Sequence, residues 1–511
     1  MATSNALLVK VRGNAQALTQ ALAAGGGGWQ AEPILTVPPR DANGAALGFG
    51  AGEPSTWLRL NRGDHAGTPW DRAHALVAPT SPLAAVMAFQ DIEAVEPDLE
   101  QQWGFQTEQG AGDRTLAAAE RCQFEAQTRD GGRAIGPGLA WHLADEFSGL
   151  RSAREQVDDK QRAILVAHLD TGFDPQHVTK PKGLRLDLQR NFMRGEQAND
   201  ASDQTPPGMA WKRNKGHGAA TLALLAGGGF TNLPTEWQGF AGEFGGAPGV
   251  DVIPIRIADW VVRFTVGTMV QGFDYARAQG AHVLSMSMGG VSSQALTDAV
   301  NLAYDAGMVM VTAAGNNMSR LPTPKSVVFP ARFRRVLAAC GVMADGRAYT
   351  GLDMGTMQGN FGPSEKMATA LGAYTPNVPW AKIGCGAVVD MDGAGTSAAT
   401  PQIAAAAALW LAEHWEVVRG YPHAWMRVEA VRQALFAAAG KQTAQMSPER
   451  VFQTLGQGTL RAHEALALQP LASARLVKAA PAEASWSWIN VLFGQGGVSL
   501  AQQWSPQQRA M

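Results

Sequence analysis

Four short runs of mostly apolar residues, at 164–169, 252–257, 283–286 and 308–312, constrain this chain more than any other feature. A strand with one solvated face alternates polar and apolar residues, whereas a strand that is apolar almost throughout must be covered on both faces. Helical patterns lie between the runs, at 268–279 and at Gln294–Asp305. Buried strands alternating with helices predict a mostly parallel sheet sandwiched between helices. Right-handed crossovers then make it a doubly wound α/β domain. The ligand site of such a domain lies beyond the C-terminal ends of its strands.

At 511 residues the chain exceeds one ordinary domain. Before the α/β pattern, strands are expected at 6–11, 34–37, 57–60 and 92–95. One helix is expected from Asn14 through Leu18 and Leu22, ended by the glycines at 25–28, and a second at 82–89. This βαββαβ order predicts a small ferredoxin-like α+β domain over 1–100. Residues 101–135 are polar and glycine-bearing and read as a linker, 136–470 as the α/β domain, and 471–511 as a tail whose Trp486, Trp488 and Trp504 are expected to dock on the body.

Lys and Arg number 42 against 44 Asp and Glu, a net charge of −2, which argues against nucleic acid as a partner. The apolar stretch 403–412 is far shorter than the roughly 20 residues that span a bilayer, so it reads as a packed helix and no membrane partner is expected. The first residues lack a basic segment followed by an apolar one, so a cytoplasmic location is expected, with export by another route left open. Cys122, Cys340 and Cys385 are too few and too widely spaced for a disulfide framework or a zinc site. They are expected to be reduced, with Cys385 in the core.

Three segments carry chemistry. Leu169-Asp170-Thr171-Gly172 puts an acid at the end of a buried strand, which is costly without a partner. Gly216-His217-Gly218 opens an apolar helix. Gly395-Thr396-Ser397 opens an alanine-rich one, where the positive end of the helix dipole stabilises developing negative charge. A serine hydroxyl becomes a nucleophile only when a base removes its proton, and an acid behind the base fixes its tautomer. His168, two residues before Asp170 and on the same side of the strand, is an alternative base. The other reading for it is a buried, hydrogen-bonded histidine.

In the order Asp, His, Ser, these segments resemble the signatures of the subtilisin-like (subtilase) serine proteases. Val311-Thr312-Ala313-Ala314-Gly315-Asn316 and Ser285-Met286-Ser287-Met288-Gly289-Gly290 agree, as do Gly246-Ala247-Pro248 and Val328-Phe329-Pro330-Ala331. The resemblance spans roughly 135–470. It implies a serine endopeptidase with the triad Asp170, His217 and Ser397, an oxyanion donor in Asn316, and a polypeptide substrate. Substrate backbone would pair along Ser287, Met288 and Gly289, and the P1 side chain would enter a pocket walled by Ala313, Ala314 and Gly315. Family members commonly carry glycine at the pocket floor. Val328 matches that position here, with Val327 the neighbouring candidate. After His217 the family's Thr-His is replaced by Ala219-Ala220. The N-terminal domain resembles the family's propeptide, which implies an intramolecular inhibitor and a zymogen. Structural calcium is common in the family, but no acidic loop reproduces such a site, so no cofactor and no metal are expected. The competing function is a catalytically idle scaffold that binds peptides in the same cleft. An esterase of the α/β-hydrolase type is disfavoured by the order of the three residues.

Overall fold

The structure is a computed structural model and describes residues 6–13, 15–16, 19–20, 29–39, 52–62, 92–102, 122, 124–204, 216–230, 242–261 and 263–483. The N-terminal strands β1 (Leu7–Arg12), β2 (Trp29–Val37), β3 (Ser55–Arg62) and β4 (Ile92–Pro97) form an antiparallel sheet in the order β2-β3-β1-β4. That is the strand order of the ferredoxin-like sandwich. Ala15, Gln16, Thr19 and Gln20 are helical. The expected helix at 82–89 lies outside the described residues, as do Leu18 and Leu22.

Alternation along each strand divides the sheet into two faces. Leu7, Val9, Val11, Leu58, Leu60 and Val95 make a core of their own, while Leu8, Ile34, Leu35, Val37, Trp57 and Ala94 join the main core of the protein. A short strand, β5 (Glu100–Gln102), follows the sheet.

Seven parallel strands form the larger sheet. They are β6 (Leu165–Asp170), β7 (Arg190–Asn191), β8 (Asp251–Arg256), then, after the short β9 (Arg263–Thr265), β10 (Val283–Met286), β11 (Val309–Ala313), β12 (Leu337–Val342) and β13 (Ala370–Tyr374). Their order is β13-β12-β11-β10-β6-β8-β7. From β6 the chain passes to the edge strand β7, returns to β8 beside β6, then crosses to β10 and steps outward to β13, so the crevice between β6 and β10 is the topological switch point where ligands bind. Its helices include α1 (His217–Ala226), α2 (Val266–Ala278), α3 (Gln294–Asp305), α4 (Gly395–Val418) and α5 (Trp425–Ala438). The expected doubly wound α/β fold is therefore the observed one. Among the described residues no helix is long and apolar enough to cross a membrane.

The N-terminal sheet docks on α2 and α3 through charge. The Glu96 carboxylate accepts the N–H groups of Gln294 (2.8 Å) and Ala295 (3.1 Å) in the first turn of α3. The Asp98 carboxylate accepts the Gly267 N–H in the first turn of α2 at 2.7 Å and pairs with Arg59 at 2.6 Å. Unpaired N–H groups at a helix start carry partial positive charge, so each carboxylate satisfies donors and opposes the dipole at once. Trp57 donates its indole N–H to Asp298 at 3.0 Å, and β5 pairs antiparallel with β9.

Two expectations are corrected. Cys122 and Cys385 form a disulfide, and Cys385 is half-buried rather than core. The partners are 263 residues apart, a separation from which spacing cannot reveal pairing. Cys340 is free and buried. The first part of the expected tail also belongs to the body: Arg335 donates to the Ala479 carbonyl at 3.1 Å, and Asn301 exchanges hydrogen bonds with Ala482 at 2.8 and 3.1 Å. Trp486, Trp488 and Trp504 lie outside the described residues.

Candidate active site

Asp170 is the last residue of β6 and is fully buried. Its Oδ1 lies 2.7 Å from His217 Nδ1 and accepts the Thr171 N–H at 2.7 Å, while Oδ2 accepts the Thr221 hydroxyl at 3.2 Å. Burial pushes the carboxyl pKa up, but the His217 charge and hydrogen bond, His168 and the Thr171 N–H together hold it below the usual value.

His217 is the first residue of α1. The helix start sits hard against the turn after β6: a Cβ on Gly218 would lie 2.1 Å from the Gly172 carbonyl oxygen, so only glycine fits there. The Gly218 N–H donates to the Thr171 hydroxyl at 3.0 Å and the Gly216 N–H to Asp203 at 2.8 Å. His168 is buried, and its Nε2 is 2.9 Å from the Thr221 hydroxyl; desolvation lowers its pKa to about 4. A histidine held neutral and occupied in this way fits the structural reading of it.

Ser397 is the third residue of α4 and is buried. Its hydroxyl donates to the Ser287 carbonyl at 2.9 Å, and the Ser287 hydroxyl donates to the Ser397 carbonyl at 2.9 Å. Pro401, four residues on in the helix, has no N–H to give that carbonyl, so Ser287 takes the place of the missing helical donor. Asn316 is locked beside it. Its Oδ1 accepts the Thr396 N–H at 2.9 Å. Its Nδ2 lies over Gly395, where a Cβ would come within 2.9 Å of it.

The expected substrate-binding residues converge around this serine. Val328 donates its N–H to the Ala314 carbonyl at 3.0 Å, and Gly290 and Phe329 exchange hydrogen bonds. The Val328 side chain stands between two backbone segments: a Cβ on Gly289 would meet it at 2.4 Å and one on Gly315 at 3.0 Å. Val328, not Val327, therefore occupies the gap between Ser287–Gly289 and Ala313–Gly315. The Met288 side chain turns into the core, which leaves only its backbone for a ligand.

Sequence reasoning missed a second layer. Arg256, at the end of β8 and fully buried, donates to the Thr171 carbonyl, forms a two-pronged pair with Glu196 at 2.7 and 2.8 Å, and lies 3.5 Å from Asp203. Asp203 thereby joins the histidine segment to the aspartate segment. A buried arginine at a strand's C-terminal end was the available signal, but its partners come from separate loops. Trp380, whose ring meets His217 edge-on at 5.6 Å between centroids, was also missed. Among the described residues no group of three or more His, Cys, Asp or Glu side chains could hold a metal ion.

A histidine–carboxylate pair and a helix-opening serine at the switch point of a parallel sheet are the marks of a serine-type hydrolase. A model of the subtilase family matches residues 161–458, more than half of the chain, and the chain belongs to that family of serine-type endopeptidases. It is 28% identical over 257 residues to subtilisin DY of Bacillus licheniformis, an alignment covering 49% of this chain and 77% of that protein. To thermitase of Thermoactinomyces vulgaris it is 32% identical over 174 residues, 34% of this chain and 53% of thermitase. To subtilisin NAT of Bacillus subtilis subsp. natto it is 26% identical over 257 residues, 49% and 56% of the two chains. The match thus spans little more than half the length of the second and third relatives.

Proposed function

We propose that this chain is an active endopeptidase in which Ser397 attacks the scissile carbonyl, His217 takes its proton, and Asp170 fixes the His217 tautomer and stabilises the imidazolium. The observation that carries the reading is the buried 2.7 Å pair between Asp170 Oδ1 and His217 Nδ1, which directs the other ring nitrogen away from the carboxylate. Asn316 supplies an oxyanion donor. Because its Oδ1 is held by the Thr396 N–H, the amide is oriented before substrate arrives, and such pre-orientation is what makes a donor effective in the transition state. As the acyl-enzyme forms, His217 gives that proton to the leaving amine; in the second half-reaction His217 takes a proton from the water that attacks the acyl-enzyme and returns it to the Ser397 oxygen as the acid departs. The test is hydrolysis of an internally quenched peptide with both products identified by mass. Cleavage at one internal bond is expected, and a peptide left intact after prolonged incubation with both the full chain and its Asp98→Ala variant contradicts the reading.

Val328 shapes the P1 preference. Its methyl groups occupy space that a large P1 ring would have to displace, and overpacking costs on the order of 1–3 kcal/mol, about 5- to 150-fold in rate. Peptides with Ala, Leu or Met at P1 are expected to be cleaved faster than those with Phe or Tyr, and Val328→Gly is expected to restore aromatic cleavage. A P1 peptide series on both proteins decides it, and an aromatic preference already present in the wild type contradicts the blocked pocket.

The N-terminal domain acts as an intramolecular inhibitor of a zymogen. Support comes from its docking on α2 and α3 through Glu96 and Asp98, and from the chain continuing as β5 paired to β9. The Asp98 carboxylate is fully buried and takes the Gly267 N–H of α2 across the contact, and a hydrogen bond to a charged group is worth about 1.5–3 kcal/mol. Asp98→Ala in the full chain is therefore expected to raise the peptide-hydrolysis rate of the uncleaved protein by roughly tenfold or more. An unchanged rate in the uncleaved variant contradicts inhibition by docking.

A further inference from the structure

The hairpin formed by β14 (Val378–Ala381) and β15 (Val389–Gly393) packs against α1 and leads directly into Ser397. Trp380 stands on it, half-buried. Its ring meets the His217 imidazole edge-on, with centroids 5.6 Å apart and planes at 68°. It also lies across Gly393, where a Cβ would come within 2.9 Å of the indole. The hairpin is fixed on the histidine side of the cleft. Its connecting loop is bonded by Cys385 to Cys122, receives Asp174 on the Gly384 N–H at 2.8 Å, and gives the Gly386 carbonyl to the Val178 N–H at 2.7 Å.

We infer that Trp380 is a specificity-determining residue for the leaving-group side of the scissile bond, taking an apolar or aromatic P1′ side chain and disfavouring an acidic one; this rests on the triad reading above. The geometry follows from the chemistry. His217 must deliver its proton to the departing amine, so the P1′ residue lies beside the imidazole and away from the Ala313–Gly315 wall that bounds P1. The side chain that meets His217 there is Trp380. A half-buried indole offers apolar area and a ring quadrupole. The strand beneath it carries Asp390 and Asp392, with Glu125 alongside and Lys382 the cation paired to Asp390 and Glu125 at 3.3 and 3.7 Å. The Asp392 Oδ1 has no hydrogen-bond partner, and burial together with the nearby Asp390 and Glu125 charges raises its pKa to about 7. Glu125 and Asp390 are two carboxylates that share Lys382, so a carboxylate arriving at P1′ would meet net negative charge even with Asp392 protonated.

The test is kcat/KM on peptides that share one P1 residue and carry Phe, Ala or Asp at P1′. Rates are normalised to sites titrated with an organophosphate. The wild type is expected to favour Phe over Asp. Trp380→Ala should shrink that ratio by about 3- to 10-fold, Trp380→Phe should retain most of it, and the P1 ranking should not move. An Asp preference in the wild type, or a P1′ ratio unchanged in Trp380→Ala, overturns the inference while leaving the triad intact. No titrated sites in either the wild type or the Asp98→Ala variant overturns the triad reading and this inference with it. Should Trp380→Ala titrate no sites, Trp380→Leu decides in its place: a reduced Phe-over-Asp ratio supports the role, and an unchanged ratio overturns it.

Discussion

Ser397→Ala and His217→Ala are each expected to lower kcat by about 10⁶, and the double variant by no more than either alone, because nucleophile and base act as a unit. Without His217 the Ser397 hydroxyl keeps its proton, and without Ser397 the histidine has nothing to activate. Both variants should fold. Ser397→Ala removes one hydroxyl that donates to the Ser287 carbonyl, a loss of about 1–3 kcal/mol. His168→Ala is the control. It takes away a ring that bonds Thr221 rather than Ser397, so measurable turnover should survive. The check is steady-state hydrolysis of a quenched peptide by the wild type and the four purified variants. Ser397→Ala retaining more than roughly 1% of wild-type turnover contradicts the assignment, since what remains after loss of the nucleophile is far smaller.

The second large effect is expected at Asn316. Replacing it with alanine should lower kcat by about 10²–10³ and leave KM nearly unchanged, the loss that follows from removing one oxyanion donor. The division between the two constants follows from timing. The amide bonds an oxygen whose full negative charge exists only in the tetrahedral state, so it binds the transition state better than the ground state. The same substitution strips the Thr396 N–H of its acceptor, which costs about 1–3 kcal/mol of stability if water does not replace it. For that reason kcat must be referred to titrated sites. A change confined to KM would mean that Asn316 only holds bound substrate.

The fold was legible because its strands are apolar on both faces. The runs at 164–169, 252–257, 283–286 and 308–312 lie within a residue or two of β6, β8, β10 and β11, and α3 coincides with the helical pattern at Gln294–Asp305. The N-terminal strands were legible from alternation, since Leu7, Val9 and Val11 face one core and Leu8 the other. The catalytic candidates were legible from local chemistry: glycines that the close approach of Gly172 and Gly218 requires, and a serine at a helix start. What escaped was set by contacts between distant segments. The Cys122–Cys385 bond, the bracing of Thr171 by Arg256, Glu196 and Asp203, and the meeting of Trp380 with His217 each join elements whose proximity exists only once the sheet has wound. The disulfide bears on location as well. Bonds of this kind persist in oxidising surroundings, so the redox state of Cys122 and Cys385, trapped by alkylation inside intact cells before lysis, tests the cytoplasmic expectation.

The central claim is that one serine among those of this chain is a nucleophile activated by His217. Reaction with a fluorophosphonate followed by intact-mass and peptide mapping measures this directly, because the reagent phosphonylates only a serine whose proton is removed by a positioned base. The protein is expected to gain one adduct, located on Ser397, and to gain none in His217→Ala. No adduct in either the full chain or its Asp98→Ala variant, an adduct on another residue, or an adduct on Ser397 that persists at the same rate in His217→Ala would contradict the account.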